Sequence, residues 1–224
     1  MSTNKKDLED IKNFFNSYSK GFSSIYTEDD KPRSYFDKLI DKFFRQGVYK
    51  RYQWSLERTQ KDSINTVLDV GCGPGHHTAA FLNQGKTVTA LDIAEDMIEL
   101  TKEKVKKLNK ESNCSYLVAD YMAHNFENKF DAICVMGFFD YVSDPVSVLK
   151  KLLSECNKEI YISIPNESGL IGLQRRVRYK LKNCPLYSYS RKFLDECLEK
   201  AGCIDFAEVV VESRGFFVTI RKPS

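Results

Sequence analysis

Several things are missing from this sequence, and each absence removes a class of protein. No cysteines are paired as C-x-x-C; the seven present (Cys72, Cys114, Cys134, Cys156, Cys184, Cys197 and Cys203) are scattered irregularly through 224 residues. An odd, irregular set argues for reduced structural thiols and against a disulfide framework or a zinc ribbon. The opening MSTNKKDLED lacks the apolar core of a secretory signal, and no later apolar run is long enough to span a bilayer. A soluble, cytoplasmic protein is expected. Charge of one sign is also scarce: 34 Lys and Arg against 31 Asp and Glu leave +3, too little to imply a nucleic-acid or membrane partner by itself. No repeat or low-complexity tract interrupts the chain. Its 42% hydrophobic content is therefore available to the core of one domain, or of one domain with a cap.

What is present changes character near residue 60. Before it, apolar residues recur every three or four positions at Leu8, Ile11, Phe14 and Phe15, then at Tyr35, Phe36, Leu39, Ile40, Phe43 and Phe44, which predicts a helical cap over residues 1–60. Gly21 to Pro32 reads as the loop between these helices. From Thr66 onward, TVLDV, KTVTALD, SYLVAD, FDAICVM and EIYISI have the length and near-continuous apolarity of strands covered on both faces. Helical stretches separate them, most clearly Ala94 to about Asn109, so residues 61–224 should form a doubly wound α/β domain of Rossmann-like type with right-handed crossovers. Residues 165–190, PNESGLIGLQRRVRYKLKNCPLYSYS, interrupt the rhythm after the fifth strand and read as a substrate-side lid. A helix over Arg191 to Ala201 follows, and IDFAEVVVE and FFVTIRK, joined by a tight turn at Ser213-Arg214-Gly215, end the chain as an antiparallel pair.

The stretch VLDVGCGPGHHT, residues 67–78, carries the chemistry. A dinucleotide loop needs G-x-G-x-x-G, yet Gly71 and Gly73 are followed by Gly75, with His76 where the third glycine belongs. A P-loop is excluded because no Gly-Lys-Ser/Thr follows. Asp69, two residues before Gly71, would repel a pyrophosphate and attract an ammonium or sulfonium. The glycines let the main chain approach a ligand, and the following helix start suits a carboxylate. Asp92 ends the second apolar run, where an acid can accept hydrogen bonds from both ribose hydroxyls. Asp120 ends the third, where it can accept from an adenine amine, with Tyr121 or Met122 beside the ring. A strand-end cap is the ordinary role of any one such acid; three in succession on the ligand side are not three independent caps.

Together these residues resemble the class I S-adenosylmethionine-dependent methyltransferases. VLDVGCGPG matches the glycine motif, LDIAEDMIELTKEK the ribose acid and its helix, LVAD the adenine segment and FDAICVMGFFDYVSDPVSVLKKL the fourth-strand segment. The similarity covers about residues 66 to 164 and is nearest the branch that includes quinone-biosynthesis and magnesium-protoporphyrin methyltransferases. It implies a seven-stranded, mostly parallel sheet with an antiparallel last strand. It also implies a cofactor set of Asp69, Gly71, Cys72, Gly73, Pro74, Gly75 and His77 from the loop, Asp92, Ile93 and Met97 from the second segment, Asp120 and Tyr121 from the third, and Met136 and Gly137 from the fourth. The cofactor so implied is S-adenosyl-L-methionine, leaving as S-adenosyl-L-homocysteine.

Many relatives in that branch carry a histidine in a pattern like E-H-V-x-D-P; here the stretch is Asp140-Tyr141-Val142-Ser143-Asp144-Pro145. A histidine base is thus replaced, leaving Asp140 and Tyr141 as candidates for acceptor contact or proton removal, against packing of Tyr141 under the cap and a turn role for Asp140. Asp144 before Pro145 reads as a helix N-cap. The Asn/Asp-Pro-Pro-aromatic motif of nucleic-acid amino-methyltransferases is absent, so no nucleic-acid substrate is expected. The basic stretch Arg175 to Lys182 suits an exposed lid helix or an anionic acceptor. Phe14, Tyr18, Phe22, Tyr26, Tyr187 and Tyr189 are packing residues or walls for an aromatic one. No metal site is expected with only His76, His77 and His124 to ligate. His76 or His77 can add a donor beside the cofactor's carboxylate, and His124 has no assigned role. The expected activity is methyl transfer to oxygen or nitrogen of a small molecule. Two alternatives stand beside it, a non-catalytic cofactor-binding subunit and, remotely, an NAD-dependent oxidoreductase.

Overall fold

A computed structural model of the chain describes residues 5–26, 49–166, 185–212 and 215–223. Seven strands, β1 (Thr66–Val70), β2 (Thr87–Asp92), β3 (Cys114–Val118), β4 (Phe130–Met136), β5 (Cys156–Pro165), β6 (Ala207–Glu212) and β7 (Gly215–Arg221), form one sheet in the order β3-β2-β1-β4-β5-β7-β6. β1 pairs in parallel with β2 and β4, β2 with β3, and β4 with β5. β7 alone is reversed, antiparallel to both β5 and β6. The chain runs outward from β1 to β3 and then returns to the other side of β1 at β4. A crevice therefore opens at the carboxyl ends of β1 and β4, the switch point at which open α/β sheets bind ligands.

Helices α1 (Lys5–Tyr26), α2 (residues 49–59), α3 (His76–Asn83), α4 (Glu95–Lys106), α5 (Pro145–Glu155) and α6 (Arg191–Ala201) cover the sheet. The period of two in each strand divides the core between its faces. Val67, Val88, Cys134, Tyr161 and Phe217 bury against Trp54 of α2 and Phe81 of α3. Their neighbours Leu68, Ile133, Val135, Ile160, Ile162 and Val218 bury with Leu149 and Leu152 of α5 and Leu194 and Leu198 of α6. Strands flanked on both sides in this way explain why the sequence shows continuous apolar runs instead of alternation.

Helix ends follow local chemistry. Asp144 caps α5 by accepting from Ser147 N at 3.1 Å, with Pro145 in the first turn, and Ser190 caps α6 by accepting from Phe193 N at 3.2 Å. α4 stops at Lys106, three residues short of the expected end near Asn109, because the chain tightens through Leu108 N to Val105 O and Asn109 N to Lys106 O before Asn109 turns left-handed at φ 53°.

One expectation fails: Gly21 to Tyr26 continues α1 instead of opening a loop. A glycine inside a helix costs only about 1 kcal/mol relative to alanine, and the i, i+4 series Phe14, Tyr18, Phe22, Tyr26 runs straight through Gly21. The rest of that loop, the helix expected over Tyr35–Phe44, most of the lid including Arg175–Lys182, and the turn residues Ser213 and Arg214 lie outside the described residues. The two ends of the segment expected to be a lid are described: Asn166 bridges Tyr189, whose amide donates to Pro165 O at 3.0 Å.

Candidate cofactor and acceptor site

Three glycines with positive φ shape the loop after β1: Gly71 at 69°, Gly73 at 54° and Gly75 at 72°. The loop is fixed to β2 by Gly71 N and Cys72 N, which both donate to Leu91 O at 2.8 and 3.0 Å. Gly75 allows the closest approach, since a Cβ there would stand 2.7 Å from Oγ1 and Cγ2 of Thr101 on α4. Thr101 in turn donates to Gly73 O at 2.9 Å. The loop is thus built before any ligand arrives, and α3 begins directly from it with Gly75 as N-cap. Cys72 and Pro74 are buried within it.

Asp69 sits deeper than a crevice mouth, beneath the loop and 1% exposed, accepting from Thr78 Oγ1 at 2.7 Å. Burial pushes its carboxyl up to about 7, with the charge of Asp92 adding to the rise and the Thr78 bond opposing it. Asp92 holds the loop and the start of α4 together, accepting from Gly73 N and Ala94 N, both at 2.9 Å. Burial raises its pKa too, partly offset by these amides and that of Ile93. A carboxylate offers about four acceptor sites, so capacity remains for a hydroxyl donor. Asp120 is next to it in space: Ala119 N donates to Asp92 O at 3.0 Å, and Asp120 closes a turn by accepting from Met122 N at 2.9 Å. The three acids expected from the strand ends therefore lie along neighbouring strands β1, β2 and β3.

Other expected residues divide between lining and support. Met97 is fully buried, and Tyr121 is 1% exposed. The Tyr121 hydroxyl donates to Glu155 of α5 at 2.8 Å, and Glu155 is paired with Lys151 at 2.7 Å. The side chain of Tyr121 is thus committed to the core edge-on to Phe138, at 6.2 Å between centroids. Ile93, Met136 and Gly137 are half-buried. Gly137 has a φ of 78° and donates its amide to Ser163 Oγ at 2.9 Å. His124 stacks edge-on with Phe126 at 4.6 Å. His76 stands 3.1 Å from the Lys104 ammonium, and burial with that charge pushes its pKa down to about 4. His77 is pushed down to about 3 by burial and then by the Arg51 charge. It is neutral, and its Nε2 is buried without a hydrogen-bond partner among the described residues.

Asp140 and Tyr141 share a short 3-10 turn, Phe139–Tyr141, just past β4. Asp140 is 3% exposed, and its carbonyl accepts from Tyr187 N at 2.8 Å. Tyr141 is covered from above by α1, with the Phe15 ring edge-on at 5.3 Å. The same helix contacts α4, so it reaches across the crevice from the α4 wall to the β4 wall. Tyr189 is a packing residue: its hydroxyl donates to Val142 O at 2.7 Å and Phe139 O at 3.1 Å. The side chains of Tyr18, Phe22 and Tyr26 lie outside the described residues.

Sequence reasoning missed α2 as part of the site. Its buried Trp54 and Ser55 face the sheet, and one turn earlier Arg51 and Tyr52 overhang the strand ends. The Tyr52 ring lies 5.5 Å from that of His77. The place a Cβ on Gly137 would occupy is 3.1 Å from the Arg51 guanidinium and 3.8 Å from Asp140 Oδ2. The available signal was helical phase: residues 51, 54, 55 and 58 share one face, and a cation on it one turn above a buried tryptophan must emerge at the rim of the sheet.

Residues 67–158 match the family described as a methyltransferase domain. The ubiquinone biosynthesis O-methyltransferase of Hydrogenovibrio crunogenus is 31% identical over 96 residues, 42% of this chain and 39% of the relative. That of Serratia proteamaculans is 26% identical over 161 residues, 69% of this chain and 66% of the relative. The chain thus spans about two fifths to two thirds of the length of these curated relatives. Among solved structures, the magnesium protoporphyrin IX methyltransferase of Synechocystis with bound S-adenosylhomocysteine superposes with a TM-score of 0.71 at 16% identity, over 97% of this chain and 100% of that one. The geranyl diphosphate C-methyltransferase of Streptomyces coelicolor gives 0.69 at 13%, over 99% of each. At these identities the structural likeness is one of fold.

Proposed function

We propose that this chain, a class I S-adenosylmethionine-dependent methyltransferase in its residues 67–158, transfers a methyl group from that donor to an oxygen or nitrogen of a small-molecule acceptor. The observation that carries the reading is the sequence of buried acids Asp69, Asp92 and half-buried Asp120 on adjacent strand ends around a prebuilt glycine loop. Asp69 provides negative charge beneath the loop for the donor's cationic end, Asp92 accepts from the ribose hydroxyls, and Asp120 faces the adenine amine. The loop glycines, with Cys72, Pro74, Ile93, Met97, Tyr121, Met136 and Gly137, shape the pocket between them.

When bound, the donor supplies an electrophilic methyl on a sulfonium. The protein's share of such an in-line displacement is alignment of the acceptor, exclusion of water and, where needed, removal of a proton. Asp140 and Tyr141 are the groups to which this reading assigns that proton; it is supported by their position after β4, with the Phe15 ring edge-on to Tyr141. Oxygen is supported as the acceptor atom by the names of the ubiquinone-pathway relatives. The half-buried aromatic rim and the Arg51 cation suit an acceptor with an aromatic ring or an anionic group. No helix among the described residues is long and apolar enough to cross a membrane.

Calorimetry tests the donor: S-adenosylhomocysteine should bind and NAD should not, and the reverse would overturn the reading. Incubation with methyl-labelled donor and a metabolite extract then tests catalysis. Donor binding without any labelled product would favour a non-catalytic binding subunit.

A further inference from the structure

The turn that carries Asp140 and Tyr141 has little to hold it from within. Its own bonds are Tyr141 N to Phe138 O at 3.0 Å and Val142 N to Phe139 O at 3.3 Å, and a 3-10 turn this short has poor hydrogen-bond geometry. It is held instead from outside, by one stretch of chain before α6. Tyr187 N donates to Asp140 O at 2.8 Å. Two residues on, the Tyr189 hydroxyl shares its proton between Val142 O at 2.7 Å and Phe139 O at 3.1 Å, so carbonyls on both sides of Asp140 and Tyr141 are tied to one side chain. Tyr189 is itself fixed independently of the turn. Its amide donates to Pro165 O at 3.0 Å beside the Asn166 bridge at the end of β5, and its ring stacks on Phe193 of α6 at 5.8 Å. It is 3% exposed. Burial, and then the charge of Asp140, push its hydroxyl above the ordinary tyrosine range, so it keeps the proton it donates.

Resting on the assignment of proton removal to Asp140 and Tyr141, we propose that Tyr189 is a positioning residue for methyl transfer: its hydroxyl fixes the backbone of residues 139–142 against β5 and α6, and thereby sets where the Asp140 and Tyr141 side chains stand relative to the acceptor. The ring alone would fill the same space, so the function resides in the oxygen. Alignment tolerates little error, since a displacement of about 1 Å can cost about 100-fold in rate. None of the contacts named reaches the ends of β1, β2 and β3 that carry Asp69, Asp92 and Asp120. The effect of removing the hydroxyl should therefore fall on turnover and leave the donor's affinity alone.

The experiment incubates methyl-labelled S-adenosylmethionine with a dilution series of metabolite extract, which separates the plateau rate from the half-saturating amount of extract. The full chain is compared with Tyr189→Phe, Asp140→Asn, Tyr141→Phe and Ser190→Ala. Ser190, whose hydroxyl caps α6 and makes no bond to the turn among the described residues, controls for general loosening of this region. Tyr189→Phe should lower the plateau about 10-fold, while S-adenosylhomocysteine affinity by calorimetry stays within about threefold. Ser190→Ala should keep the plateau within about threefold. Added to the more damaging of Asp140→Asn and Tyr141→Phe, the Tyr189 substitution should cost less than about threefold more, because effects that pass through one group do not add. An unchanged plateau in Tyr189→Phe, a full further loss in the double variant, an equal loss in Ser190→Ala or a lost donor affinity would each overturn the proposal. Asp140→Asn and Tyr141→Phe that both leave the plateau unchanged would overturn the proton assignment, and with it the route given to Tyr189. A wild type that labels no product would overturn the catalytic reading on which both rest.

Discussion

Asp69 makes the ligand-free protein sensitive to pH in a direction opposite to that of most carboxylates. Its carboxyl is raised from the ordinary 3.8 to about 7 by burial, so between those values the folded protein holds a proton that the unfolded chain releases. Stability from this group is therefore fully present below the unfolded pKa and is lost as pH rises through the window toward 7. A tenfold change in proton affinity is worth about 1.36 kcal/mol, which makes the whole effect about 4 kcal/mol and the part between pH 5 and pH 8 about 3 kcal/mol. Asp69→Asn removes the titration while keeping an oxygen to accept from Thr78 Oγ1. Urea unfolding of both proteins at intervals from pH 5 to pH 8 should show the wild type losing about 3 kcal/mol relative to the variant. Parallel curves would refute the reasoning. With saturating S-adenosylhomocysteine, whose ammonium favours the ionised carboxylate, the slope should flatten. Calorimetry in buffers of different ionisation enthalpy near pH 6 should then detect proton release on binding that the variant lacks.

Other perturbations follow from single contacts. Asp92→Ala removes the acceptor for Gly73 N and Ala94 N along with the expected ribose acceptor, so S-adenosylhomocysteine should bind at least about 10-fold more weakly by calorimetry; an unchanged affinity refutes the assignment. Gly75→Ala forces a Cβ to 2.7 Å from Thr101 at a φ of 72°, and urea unfolding should register a loss of about 1–3 kcal/mol. Tyr189→Phe takes away the hydroxyl that ties the segment before α6 to Phe139 O and Val142 O; two carbonyls lose a donor, and unfolding should show about 1–2 kcal/mol of destabilisation. Asp144→Ala should cost about 1 kcal/mol through loss of the α5 cap, read by the same measurement.

The parts of the fold legible in the sequence are those set by local patterning. Continuous apolar runs marked β1, β2, β4 and β5 because each is buried on both faces, whereas β3, read from the same pattern, is an edge strand whose residues are half-buried or exposed; Asp-Pro marked the start of α5 because cap and first-turn chemistry are both local. The reversed β7 followed from the turn between two short strands. Gly21 misled because a breaker signal carries only about 1 kcal/mol, less than the continuing aromatic period around it. Within the site, the acids were legible because each ends a strand. The depth of Asp69 was not, since burial beneath the loop depends on how α3 closes over it through Thr78. The commitment of Tyr121 to Glu155 likewise depends on α5, 34 residues away in sequence. Arg51 was hidden for the same reason: its place over Gly137 comes from packing of Trp54 against Tyr161 and Phe217, with more than 80 residues between Arg51 and the strand end it overhangs.

The meeting of Asn166 with Tyr189 at the two ends of the segment after β5 has a consequence for how this scaffold can diversify. With Asn166 and Tyr189 bridged beside the sheet, the two points between which the intervening segment must run are fixed whatever its length. Doubling such a loop costs only about 0.6 kcal/mol in closure entropy, small beside the burial that holds β5 and α6. The strands and the acids at their ends can therefore stay fixed while the intervening chain is lengthened, shortened or exchanged, and one sheet can carry a succession of different segments at this position.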